Sequence, residues 1–326
     1  MSLSRRGLLA GVAFGAPQLS SAFADTATYR YDALGRVVQV TYSDGTIVVY
    51  NYDAAGNRLQ VVRTDGSAFS ATIQVTGTGP VNLRTLANAS GYSGVTNATI
   101  TFQIGSAVTI SGLGGAANAN GGNAIDTGTW PSASHTIALT LEVSGKVYGG
   151  GGGGGTGAIP AQPGRTGGDA IYVRENMTVV VNSGGQVKAG GGGGGGGGSW
   201  TRTVGEEAST WNGGGGGGGF PNGAGALEGE ADLDVSGPGA SGTTSGGGAG
   251  GTGGNCVPTS RVNGAGGAGG GAATAGATGA SASGTGGSGS WGQNNAAAGG
   301  QPGYAIRKNG KSVTVTNNGT ISGTVG

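Results

Sequence analysis

Three uninterrupted runs of glycine, Gly149 to Gly155, Gly190 to Gly198 and Gly213 to Gly219, set the narrowest limits on what this chain can fold into. Glycine has no side chain to bury and loses more backbone freedom on folding than any other residue. Such a run is therefore either disordered or held by regular hydrogen bonding between backbones. The ordered alternative is an extended helix like polyproline II, with three residues per turn and a rise of about 3.1 Å per residue, so nine glycines reach about 28 Å. Helices without side chains can pack side by side and bond backbone to backbone. Collagen shares the geometry but needs strict Gly-X-Y and abundant Pro, whereas here 82 glycines are irregularly spaced among only 9 prolines. A flexible Gly/Ser linker is the competing reading of the runs.

The sequence around the runs argues against a linker. Gly122-Asn123-Ala124-Ile125 recurs as Gly168-Asp169-Ala170-Ile171 and as Gly303-Tyr304-Ala305-Ile306. Each copy precedes an alternating strand, Thr136 to Val143, Thr178 to Val181 and Ser312 to Val315. Each strand then meets a triplet, Gly145-Lys146-Val147, Gly185-Gln186-Val187 or Gly319-Thr320-Ile321. β-branched residues at every second position fit a half-buried strand, so three modules of one grammar predict a folded sheet interleaved with the runs. Upstream, Ala71 to Val75 and Ala98 to Ile104 also alternate as strands, and Asn82 is placed to cap a short helix over Leu83 to Asn88 that ends by Gly91.

A different repeat lies nearer the N-terminus. Tyr29-Arg30-Tyr31-Asp32 with Gly35-Arg36 recurs 21 residues later as Tyr50-Asn51-Tyr52-Asp53 with Gly56-Asn57, and Asp44-Gly45 recurs as Asp65-Gly66. Short alternating strands joined by Asp-Gly turns read as hairpins. The pattern resembles the RHS, or YD, repeat. Two units are too few to close the β-cocoon that the resemblance otherwise implies, which leaves a short β-ribbon, either a stalk, adaptor or attachment piece or a small hairpin stack with no role beyond linking.

Before the ribbon, Ser4-Arg5-Arg6-Gly7-Leu8-Leu9, a short apolar stretch and Ala22-Phe23-Ala24 resemble a twin-arginine export signal with a cleavage site. The other reading of 1–24 is a docking segment for a larger assembly. The expected plan is thus all-β: residues 1–24, RHS repeats over 25–70, a β-rich connector over 71–120, and packed polyglycine II helices interleaved with short strands over 121–326.

Composition narrows the function. A net charge of +1 with 10% charged residues supplies no basic face for nucleic acid, and no apolar run is long enough to span a membrane. His135 is the only histidine, so no Ser-His-Asp or Cys-His arrangement is expected. No His/Cys cluster has metal-ligand spacing, and no cofactor is expected. Glu206 and Glu207 are neighbours whose side chains would point to opposite faces of a strand, which counts against a carboxylate-pair glycosidase. Cys256 has nothing nearby to activate it.

Val81-Asn82-Leu83-Arg84, Gly91-Tyr92, the strand Ala98 to Phe102, Asp126-Thr127-Gly128, the three modules and the glycine runs together resemble the glycine-rich domains of phage tail-fibre tip adhesins. The resemblance spans about residues 80–326. It implies a layered sandwich of polyglycine helices whose connecting loops carry host specificity. On that reading the chain is the non-catalytic, receptor-binding tip of a tail fibre or tail-like particle. Its partners are a bacterial surface receptor, polysaccharide or outer-membrane protein, and other tail or fibre proteins through its N-terminal part. The alternative is an exported bacterial surface adhesin built from the same module.

If glycine fills the lattice, contact side chains must sit on loops. Three of the four tryptophans lie in glycine-flanked loops, and Trp and Arg are favoured contact residues. The expected receptor-binding set is Trp200, Arg202, Trp211, Asn212, Phe220, Trp291 and Asn294. The competing role for these aromatics is to pin the loops back onto the lattice.

Overall fold

The computed structural model describes residues 27–42, 45–64, 68–228, 236–256, 260–285 and 288–326. The export-like segment 1–24 and the Asp65-Gly66 pair lie outside these residues. Contacts divide the chain into two units, meeting between Ser67 and Ala68.

In the first unit, Ala27–Tyr31, Val37–Tyr42, Ile47–Tyr52 and Arg58–Thr64 form a four-stranded antiparallel sheet in sequence order. The repeated Tyr-Asp motif works through its turns. The Asp32 carboxylate accepts the backbone N–H of Leu34 and Arg36 and the Arg36 guanidinium, and Asp53 accepts the backbone and side-chain N–H of Asn57. The backbone bond from Arg36 in one turn and the side-chain bond from Asn57 in the other hold both carboxyls below their ordinary pKa. Gly35 and Gly56, at φ of 75° and 90°, complete the turns in a region that glycine enters without steric cost. Arg36 also lies 4.7 Å from the centre of the Tyr52 ring, and Tyr52 donates to the Val37 carbonyl, so one repeat braces the next.

The second unit begins as a three-sided parallel solenoid. Phe69–Gln74, Ala98–Ile104, Ile137–Val143, Met177–Val181 and Val313–Asn317 form one sheet, neighbours in that order. Thr109–Ser111, Lys146–Tyr148, Gln186–Lys188 and Thr320–Ser322 form a second. Val81–Asn82, Ile125–Asp126, Ile171–Tyr172, Tyr304–Arg307 and Thr324–Val325 form a third. The chain visits the third, first and second sheets in turn, so each copy of the module is one circuit.

Register stacks like on like inside the solenoid: Ile73, Phe102, Leu141, Val179 and Val315 in one column, Ile110, Val147, Val187 and Ile321 in another. Phe102, Leu141, Val179, Ile110, Val147 and Val187 are fully buried. The period of two in the sequence is therefore the inside-outside alternation of these strands. The stretch 71–120, read as a connector, supplies circuits of the same sheets. Its helix, Leu83–Ala89, starts where expected: the Asn82 side chain accepts the Thr85 N–H.

Between the second and third sheets the chain leaves the solenoid and returns, and these excursions carry the glycine runs. Gly190, Gly193 and Gly196 donate to Gly168, Arg165 and Gln162; Gly191, Gly194 and Gly197 donate to Phe220, Gly217 and Gly214; Gly192, Gly195 and Gly198 donate to Thr274, Ala277 and Ala280. The partner segment thus changes at each residue and returns every third. As acceptor, the same run serves segments 152–155, 264–270 and 297–303. Six segments surround it.

Runs 149–155 and 213–219 are bonded to 190–198 and to each other. The three pure-glycine runs therefore form a triangle at the centre of the lattice. Around it lie segments 112–118, 119–122, 162–168, 223–226, 237–240, 248–251, 264–270, 274–280 and 297–303. Several of these outer segments carry a side chain at every third position facing solvent, as at Ala249 and Thr252 or Ala298 and Gln301. Pure glycine marks the interior because all three sides of an inner segment meet neighbouring backbone. Among the described residues, no helix is long and apolar enough to cross a membrane.

Candidate functional site

The lattice segments run alternately away from and back toward the solenoid. Segment 190–198 runs outward, and 213–219 and 264–270 return beside it. The loop residues 158–161, 199–211, 255–256, 260–262, 282–285 and 288–294 therefore gather at the far end of the lattice. Loops 220–222, 243–246 and 271–274 fall at the solenoid end.

At the far end, Ser199–Val204 and Glu207–Trp211 form a hairpin, and Ser290–Asn294 pairs antiparallel with its first strand. A second small hairpin, Asn255–Cys256 with Arg261–Val262, connects to Ser283. Trp200 and Trp211 face each other across the first hairpin. Trp211 stacks on Trp291 at 5.2 Å between ring centres, and Trp200 meets Trp291 edge-on at 6.2 Å. The Arg261 guanidinium lies 4.0 Å from the Trp291 ring centre and 4.9 Å from that of Trp200. Cys256 and Ala282 close the cluster. The whole is a small hydrophobic core independent of the solenoid, and it fixes the loops to the end of the lattice.

The seven residues expected to contact a receptor therefore separate. Trp200, Trp211 and Asn212 are buried, at 7%, 2% and 3% exposure, so in this arrangement they support the loop platform and do not form its surface. Phe220 is also buried and sits at the solenoid end, its ring centre 5.4 Å from that of Tyr148. It ties the lattice to the solenoid. Arg202, Trp291 and Asn294 are half-exposed. Arg202 is held by Ser288, donating 2.8 Å to its carbonyl and 3.1 Å to its hydroxyl.

The most prominent side chains at this end belong to the hairpin tip. Thr203, Val204, Gly205, Glu206 and Glu207 are all exposed, Val204 at 50%. Val204 pairs with Glu207, so Gly205-Glu206 is a two-residue turn with Gly205 at φ 65°. The Gly-Glu pair between two alternating stretches was a readable turn signal.

Among the described residues, no group of three or more His, Cys, Asp or Glu side chains is placed to hold a metal ion. Burial raises the Cys256 pKa to about 11, and its thiol donates 3.3 Å to the Asn263 carbonyl oxygen. The reactive species is the thiolate, so at pH 8 Cys256 is expected to react with iodoacetamide about 100-fold more slowly than an ordinary thiol of pKa near 8.5. Mass spectrometry of the folded and the denatured chain checks this. Labelling at equal rates in both states would contradict it.

Family models agree with the division into two units. Residues 21–47 and 31–68 match the RHS repeat, and residues 69–326 match the phage tail fibre adhesin Gp38. No curated protein gives a significant match. Among solved structures, the crystal structure of the gp37-gp38 adhesin tip complex of the bacteriophage S16 long tail fiber is similar at 21% identity. The alignment covers 80% of this chain and 83% of that one, with a TM-score of 0.44. With its glycine-rich unit matched end to end, the chain belongs to the phage tail fibre adhesin Gp38 family.

Proposed function

We propose that the chain is the receptor-binding tip of a tail fibre and that the far-end loops form its contact surface. The observation that carries this reading is the sorting of side chains. The lattice interior is backbone, its flanks offer mostly Gly, Ala, Ser and Thr, and larger groups collect on loops held by the tryptophan platform. Recognition residues are disproportionately found on loops positioned by a rigid scaffold. The glycine runs act as polyglycine II helices, a reading supported by the period of three in their hydrogen bonding.

The contact residues on this account are Thr203, Val204, Glu206 and Glu207 at the hairpin tip, flanked by Arg202, Trp291 and Asn294. The partner is a bacterial surface polysaccharide or outer-membrane protein, bound without catalysis. The RHS ribbon joins the tip to other fibre proteins, and the chain works at the virion tail, in keeping with its adhesin family.

The test is binding of the labelled full-length chain to intact cells of a panel of bacterial strains. Val204→Ser combined with Glu206→Lys and Glu207→Lys is expected to lower binding to a recognised strain at least about tenfold, the size expected for losing a central contact. The melting temperature should stay within about 2 °C of wild type, because Val204 is half-exposed and Glu206 and Glu207 are exposed. Equal binding by the triple variant would remove the hairpin from the contact surface. Binding to no strain by the folded wild-type chain would instead favour a structural role.

A further inference from the structure

A second polar feature lies away from the far-end loops, where returning lattice segments enter the third sheet of the solenoid. The variable residue of the Gly-x-Ala-Ile module forms a ladder there. Asn123 accepts the Asp169 N–H through its side-chain oxygen, and Asp169 accepts the Tyr304 N–H through its carboxylate. Asp169, at 3% exposure, is also held by the Arg307 guanidinium through both carboxylate oxygens. Further along the lattice, the Asn120 side-chain oxygen accepts the Thr166 N–H. Asn120, Asn123, Thr166, Asp169 and Arg307 line a cleft of about 280 Å³ with Tyr172 on its wall.

The ladder determines what the cleft offers. Both asparagine oxygens are engaged with backbone, which leaves their amide nitrogens as the uncommitted groups. The Thr166 and Tyr172 hydroxyls and the second terminal nitrogen of Arg307 make no hydrogen bond to a described residue. Every one of these groups can donate. The one carboxylate in the cleft has both oxygens occupied, and the neighbouring Asp126 is neutralised by Arg174, whose guanidinium covers one side of the Tyr172 ring at 4.8 Å. A ligand that satisfies this surface is therefore rich in acceptors, compact, and has an apolar patch to lie against the phenol ring.

We propose that this cleft binds a single acidic sugar unit, with its carboxylate and hydroxyl oxygens accepting from Asn120, Asn123, Thr166 and Arg307 and its ring against Tyr172. A pyranose fits the volume, and pairing of amide and hydroxyl donors with a half-exposed aromatic is suited to a polyhydroxy ligand. The site is structurally separate from the hairpin tip. A tip that recognises its receptor at the far end would thus hold a charged surface glycan at its flank.

Saturation-transfer NMR on the full chain, titrated with D-galacturonic acid and with methyl α-D-glucopyranoside, tests this directly. Galacturonate is expected to bind saturably in the millimolar range and at least several-fold tighter than the neutral glucoside. Tyr172→Ala should weaken it about tenfold, and Thr166→Val several-fold, as for the loss of one good contact. The Val204, Glu206 and Glu207 variant should bind it normally. Thermal melting of each variant confirms the fold, and Thr166→Val keeps the backbone bonds intact should Tyr172→Ala be unstable. Three results would overturn the proposal: no saturable galacturonate binding, binding unchanged in both cleft variants, or equal affinity for the glucoside.

Discussion

Gly194→Ala will cost the chain at least about 3 kcal/mol of stability, the upper part of the range for overpacking a close-packed interior. A Cβ on Gly194 would overlap the carbonyl group of Gly267 and crowd the backbone of Ala268. In an ordinary core an added methyl is accommodated by neighbouring rotamers. Here the neighbours are main chain, each already bonded to a third segment, so relief requires moving whole segments of the lattice. Gly194 also belongs to the central triangle, with no side open to solvent. For a unit of this size the loss corresponds to a fall in melting temperature of about 6 to 12 °C. Gly246→Ala is the control: nothing lies within 4 Å of its Cβ position, and its melting temperature should stay within about 2 °C of wild type. Differential scanning calorimetry compares the two. Equal tolerance at both positions would mean that the runs are not packed.

Trp211→Ala will detach the far-end platform from the lattice. Trp211 is 2% exposed, stacks on Trp291 and stands opposite Trp200. Replacing a buried Trp by Ala costs about 3 to 5 kcal/mol. The platform has few other large side chains, with Trp200, Cys256, Ala282 and Trp291 completing its core, so the loss should be local. Hydrogen exchange should show amides of 199–211 and 290–294 losing protection while those of the solenoid strands Ile137–Val143 and Met177–Val181 keep theirs. Cell binding should fall together with that protection. A variant that loses binding with hydrogen exchange unchanged would make Trp211 a direct contact, contrary to its burial.

These contrasts mark what could be read from the residues. The three modules were legible as strands because the solenoid core demands alternation, and the Val and Ile residues fell into inward columns except Val180, which lies in the outward column of Glu142 and Thr316. The lattice was legible because pure glycine has so few ordered outcomes. The region 71–120 was harder. A helix of seven residues interrupts the circuit between its third-sheet strand, Val81–Asn82, and Ala98, so the grammar of the later circuits is broken there.

The burial of Trp200 and Trp211 was hard to read for a different reason. A Trp between glycine runs has no local partner to bury it, and the partners came from afar: Arg202 pairs in register with Trp291, on a strand that the chain reaches only after six further segments of the lattice. Such pairing leaves no trace in local periodicity. The position of Phe220, by contrast, was available in principle. If 190–198 runs outward, 213–219 must return, and the loop after it lies at the solenoid end.

Recognition at the far end of the lattice is tested most directly by placing the photo-crosslinking residue p-benzoylphenylalanine at position 204 in one full-length chain and at position 268, on the lattice flank, in another. Each chain is irradiated while bound to cells of a recognised strain. Position 204 is expected to give a covalent adduct with a host surface molecule, and position 268 none. Adducts from the flank position with none from the hairpin tip would contradict far-end recognition.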